Sequence, residues 1–239
     1  MKTTLSMLLL LSLYACNDPQ APVDCFNKAQ AEDTEGNTVQ ECPVDDPSDD
    51  GDDDTVTETP PVVEEPIGDG VPAMAALFGA TVKYTNFTAA DIDKVEAALE
   101  FIQKIVRTST FRDRVLNHTY NGKKQFVDNN GLTNEQIYQK LLEGAETLLP
   151  SIDSQMDLDL ELYTNYSTST VGYTYANTIR IWMNRKYFDA YDAEEVARNV
   201  FHEWTHKLGF THSSSATSSR PYSVPYALGS IMEDMAYKM

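Results

Sequence analysis

The chain has 239 residues, with 37 acidic against 18 basic side chains and a net charge of −19. That balance disfavours nucleic-acid binding, and three cysteines with no C-x-x-C spacing disfavour a cysteine-ligated zinc. The charge is also local: residues 17–69 hold 17 acidic residues and one basic residue, Lys28, whereas residues 71–239 carry a net charge of only −4.

In chain order, Lys2 precedes the apolar run Met7 to Leu13, which is too short to span a membrane and reads as a signal peptide. Leu13-Tyr14-Ala15-Cys16 resembles a bacterial lipobox, which implies a lipid anchor on Cys16, a signal segment 1–16 and a cell-envelope location; plain secretion is the alternative. Removing Cys16 from the count leaves Cys25 and Cys42, whose simplest reading in an oxidising compartment is a disulfide. Residues 17–70, with the acidic run Asp45 to Asp54 and the Pro-Glu stretch after it, bury too little apolar surface to offset chain entropy, and the expectation is a disordered tether.

From Val71 onward the pattern is globular and long enough for one core. Thr88 reads as the cap of a helix whose stripe is Ile92, Val95, Ala98, Leu99, Ile102 and Val106. A second helix is expected after Thr133, through Ile137, Leu141 and Leu142. Strands are expected at Gln125 to Val127, Leu158 to Tyr163, Thr170 to Tyr175 and Ile179 to Asn184, the last two joined by a turn at Ala176-Asn177. Tyr173, Tyr175, Trp182 and Tyr187 either line a cleft or pack the sheet. His118 sits in a polar stretch and carries no assigned role.

The informative stretch is His202-Glu203-Trp204-Thr205-His206-Lys207-Leu208-Gly209-Phe210-Thr211-His212. Asp192 and Glu195 form a capping-box pattern for a helix running to about Leu208, with the apolar stripe Ala197, Val200, Phe201, Trp204 and Leu208. His202 and His206, four apart, share one helix face, so their imidazoles can converge on one ion. Gly209 can take the left-handed conformation that ends a helix and returns His212 as a third ligand. Three neutral nitrogens leave a fourth tetrahedral position open, the arrangement of a catalytic rather than a structural zinc. Glu203, directly after the first ligand, is placed to act as general base on a metal-activated water.

The motif H-E-x-x-H-x-x-G-x-x-H resembles that of the metzincin clan of zinc endopeptidases. The resemblance implies one catalytic Zn²⁺ on His202, His206 and His212, Glu203 as the base, and a protein or peptide substrate. It also implies an α/β (α+β) zincin-like fold. That fold has a twisted, mostly parallel sheet with an antiparallel edge strand, an active-site helix and a short C-terminal subdomain. The expected state is a monomer. Metzincins place a methionine turn beneath the metal. Met232 either forms that turn or lies in a helix after Pro225, with Leu228, Ile231 and Met235; in the helix case Arg220 to Tyr226 passes under the metal, and Tyr222 or Tyr226 can assist catalysis. Two other readings stay open: a catalytically silent surface lipoprotein that uses the zinc fold to bind a partner, and an enzyme that processes only its own tail or one dedicated partner.

Overall fold

The structure, a computed structural model, describes residues 14–17 and 73–239. The expected signal segment, the tether, the Cys25–Cys42 pairing and the lipid anchor on Cys16 lie outside what it describes, apart from the backbone of residues 14–17.

The elements run β1 (Tyr14–Asn17), α1 (Ala73–Leu77), β2 (Gly79–Thr85), α2 (Ala89–Val106), α3 (Ser109–Leu116), α4 (Asn134–Glu143), β3 (Gln155–Tyr163), β4 (Thr170–Thr174), β5 (Arg180–Asn184), α5 (Arg185–Phe188), α6 (Ala193–Lys207) and α7 (Val224–Ala236). A single 3₁₀ turn, Arg220–Tyr222, precedes α7. The fold is mixed α/β. Its five-stranded sheet has the order β1-β4-β5-β3-β2, with β2–β3 and β3–β5 parallel and β4–β5 antiparallel. Residues 14–17 pair antiparallel with the outer edge of β4, Tyr14 opposite Thr174. The sequence predicts no strand in this segment; an open sheet edge offers N–H and C=O groups to any extended segment that reaches it.

The helices start where the sequence supplies caps. Thr88, Thr133 and Asp192 each accept from the backbone three residues on, and Asp91, Gln136 and Glu195 reach back to complete capping boxes. The inner face of the sheet is read off alternate residues: Met156, Leu158, Leu160 and Leu162 on β3 and Ile181 and Met183 on β5 are buried. α2 and α6 pack side by side, α2 touching β2 and α6 touching β4, and α7 lies along α6. Gly229 permits that last contact, since a Cβ there would come within 3.3 Å of the Arg198 carbonyl oxygen and 3.4 Å of His202 Cβ.

Three sequence expectations change. Gln125 to Val127 is not a strand; Val127 makes one isolated bridge to Ser223, because the turns around it leave no length for a ladder. β2 was not foreseen: Thr81 and Lys83 are exposed and the rest only half-buried, so none of its residues marks a core face. The short α3 was also missed, being polar except for Phe111, Val115 and Leu116. Met232 lies fully buried within α7, so the helix alternative holds and the methionine-turn alternative does not.

Candidate active site and metal centre

α6 is amphipathic in two directions. Val196, Ala197, Val200, Phe201 and Trp204 are fully buried in the core, which holds the helix rigidly. A second ridge at spacing four, Asn199, Glu203 and Lys207, faces the inner side of β4. A Cβ on Gly172 would stand 3.1 Å from Asn199 Oδ1 and 3.2 Å from Glu203 Oε1, so the glycine makes room for the carboxylate. The Lys207 ammonium donates to Thr174 Oγ1, and to the carbonyls of Thr178 (2.8 Å), Arg180 (3.0 Å) and Tyr175 (3.3 Å). It thereby ties the β4–β5 hairpin to the end of α6. Burial outweighs the neighbouring carboxylates and pushes the Lys207 pKa down to about 8.

The helix ends as the glycine predicts. Gly209 has φ 91°, its N–H bonds to the His206 carbonyl at 3.0 Å, and Phe210 N–H reaches back to the Thr205 carbonyl at 3.2 Å. This is a Schellman arrangement, and it turns the chain so that His212 comes back to the helix. The Gly209 carbonyl accepts from Asn130 Nδ2 at 3.0 Å, which holds the turn from a separate loop.

His202, His206 and His212 come together. Their ring centroids lie 5.2, 5.2 and 4.9 Å apart. Each offers one ligand nitrogen within 4.8 Å of the others, and among the described residues no other such group of His, Cys, Asp or Glu occurs. The chemistry of this donor set fits a metal. His206 Nδ1 donates to the Phe210 carbonyl at 2.8 Å and His212 Nδ1 to the Ser213 carbonyl at 2.9 Å. A carbonyl can only accept, so both Nδ1 atoms carry hydrogen, and Nε2 is the atom of each ring whose lone pair could ligate an ion. All three rings are held neutral. Burial, then the other histidines, lowers His202 far below its ordinary value, burial lowers His206 to about 3, and burial lowers His212.

Tyr226, at the start of α7, packs edgewise against His202 (4.6 Å) and His212 (4.7 Å). Its hydroxyl accepts from the buried Arg220, whose guanidinium also lies 4.5 Å over the Tyr226 ring. Thus Arg220 to Tyr226 does pass beside the cluster. Tyr222 does not join it; that ring is 42 % exposed and meets Tyr120 and His118. His118 stacks on Phe126 at 4.1 Å, a packing role.

Several residues around the site were missed in the sequence: Gly172, Asn199, Lys207, Arg220 and Glu146. Glu146 is buried and accepts from Trp204 Nε1 at 2.6 Å and from Asp157 N–H at 3.1 Å, and burial pushes its carboxyl above the usual range. The readable signal was Lys207, a lysine one turn beyond Glu203 on a helix whose other faces are claimed. Of the four aromatic residues before the motif, Tyr173 and Trp182 stack at 5.1 Å on the outer face of the sheet, and Tyr175 borders the cavity beside His206.

No protein-family model, curated protein or solved structure matches the chain.

Proposed function

We propose that this protein is a zinc-dependent endopeptidase of metzincin type. The observation that supports it most is the convergence of three neutral imidazoles within 4.8 Å, with Glu203 directly after the first and facing Gly172 of β4. His202, His206 and His212 would hold one Zn²⁺, which when bound supplies Lewis-acid polarisation of water and of a peptide carbonyl. Glu203 takes the proton as the water oxygen bonds to the carbonyl carbon. The C–N bond then breaks, and Glu203 returns that proton to the departing amine. Gly172 leaves the carboxylate its space, and Lys207 keeps the hairpin that carries Gly172 fixed to the helix. Tyr226 is the second group assigned here: its ring borders two ligands, and its hydroxyl, oriented by Arg220, would donate to the charge that develops on the carbonyl oxygen.

The zincin-like arrangement belongs to this reading, with Tyr226 and α7 standing where a methionine turn would be. So do the Cys16 lipid anchor at the bacterial envelope and the acidic tether, checked by the acyl mass on Cys16 in the mature protein. The test of activity is cleavage of an unfolded protein by the zinc-loaded chain beside Glu203→Ala. Loss of cleavage in the variant with zinc content unchanged is expected. Equal silence from both folded, zinc-loaded proteins favours the partner-binding alternative. Tyr226→Phe should slow cleavage without loss of zinc; an unchanged rate removes Tyr226 from the mechanism.

A further inference from the structure

Large apolar side chains stand in water at one end of the sheet. Of the eight that are exposed among the described residues, four gather there: Leu77 (69 %), Leu148 (45 %), Leu149 (37 %) and Ile152 (65 %). A backbone bond brings their segments together, since Gly79 N–H donates to the Ser154 carbonyl at 2.9 Å, and these two residues follow Leu77 and Ile152 by two positions each. Leu148 shares a cavity wall with Ala176 and Ile179 of the β4–β5 turn, which closes the same end. An exposed apolar cluster marks a surface that a partner or a membrane covers.

The loop that carries three of the four is held out into solvent by its backbone. Gly144 ends α4 in the left-handed conformation, φ 67°. The Glu143 carbonyl accepts from both Asp153 and Ser154 N–H at 3.1 Å, and Thr147 N–H bonds to the Lys207 carbonyl at 2.8 Å. Glu146 is buried on Trp204 Nε1 and roots the loop in the core. From Thr147 to Ile152 there is no charged residue, so this stretch can enter an apolar phase without desolvating a charge.

The places where the anchored part of the chain joins the domain identify the occupant. The apolar run Met7 to Leu13 ends directly before Tyr14, which starts β1 opposite Thr174, the last residue of β4 before the β4–β5 turn. The acidic tether leads into α1, whose last residue is Leu77. Both junctions lie at the end of the sheet that carries the apolar cluster.

We propose that Leu77, Leu148, Leu149 and Ile152 form a docking surface that enters the interfacial layer of a phospholipid bilayer. The proposal rests on the lipid-anchor reading of Cys16 and adds an orientation, with this end of the domain resting on the membrane. Contact is shallow, within the roughly 5–10 Å that interfacial segments reach. Apolar burial drives it, so added salt leaves it unchanged.

A nitroxide on Ser151→Cys reads the contact in the mature full chain on vesicles of phosphatidylethanolamine and phosphatidylcholine, with the acyl mass on Cys16 measured in the same sample. Greater accessibility to oxygen than to a water-soluble nickel complex is expected, while a label on Tyr166→Cys, between β3 and β4 at the opposite end of the sheet, stays in water. Replacing Leu148, Leu149 and Ile152 by serine should return the Ser151 label to water with the melting temperature unchanged. An acylated chain whose Ser151 label stays in water overturns the docking surface and leaves the anchor standing. A chain without acyl mass that still sediments with vesicles, and loses about 10-fold or more of that binding in the triple serine variant, supports the surface and sinks the anchor. No acyl mass and no sedimentation overturns both. A dimer in analytical ultracentrifugation that immobilises the label without vesicles assigns the surface to a second copy and overturns docking to lipid.

Discussion

Two segments supply the histidine cluster, and they are held in place by different physics. His202, Glu203 and His206 ride on α6, where the spacing of four and a buried apolar stripe place them together with no help from distant residues. His212 and Tyr226 belong to the segment after Gly209, which among the described residues has no regular structure until the turn at Arg220–Tyr222. Separate bonds hold that segment: Asn130 to the Gly209 carbonyl, His206 Nδ1 to the Phe210 carbonyl, and Val127 N–H to the Tyr222 carbonyl at 2.8 Å. The helix preorganises two ligands through local geometry, while the third depends on contacts that form only when the whole domain has folded.

The sharpest way to break this contrast is to remove one ligand from each side. His206→Ala and His212→Ala should both weaken zinc binding by more than the 10- to 100-fold that loss of a supporting partner costs. His206→Ala should also loosen the Phe210 turn, since it removes the donor to that carbonyl. Isothermal titration with zinc measures the first effect and proteolysis between residues 208 and 220 the second. Equal protection of that segment in both variants would refute the coupling.

Next in size comes the support beneath the helix. Glu146→Leu leaves the buried Trp204 N–H without its acceptor and should cost about 1–3 kcal/mol of stability. Glu146→Gln keeps an acceptor and removes the titration. Burial raises the Glu146 pKa above its ordinary 4.5, so its contribution is full below that value and is lost as pH rises through the raised folded value. Thermal melts should therefore show Glu146→Gln gaining on the parent protein near pH 7–8 and not near pH 4. A constant difference across that range would show that the carboxyl does not titrate there.

The smallest effects separate the two segments most cleanly. Asp192→Ala removes the N-cap of α6 and should cost about 1 kcal/mol in global stability with zinc affinity nearly unchanged. Asn130→Ala should do the reverse, with a small change in melting temperature and a clear loss of zinc affinity, because its single bond anchors the turn that returns His212. If both variants shift both quantities in proportion, the segments are one cooperative unit.

Much of the site could be read in advance because its signals are local. The caps at Thr88, Thr133 and Asp192, the stripe from Ala197 to Leu208 and the left-handed Gly209 each depend on a few neighbouring residues. β2 could not be read so, since its partial burial is set by its place at the sheet edge beside β3. Gln125 to Val127 has strand-like composition, yet its one ladder contact is the bridge from Val127 to Ser223.

The sequence by itself determined the identity and spacing of the three histidines and of Glu203, and the helix and glycine turn that present them, because periodicity and backbone preference act over one or two turns. Only the tertiary structure decided what surrounds them. It set Gly172 against Glu203, Lys207 within the hairpin oxygens, Tyr226 beside the ligands and Met232 inside α7. Those pairings join residues separated by tens of positions, and their strength comes from burial and from hydrogen bonds that exist only once the sheet and the helices have packed.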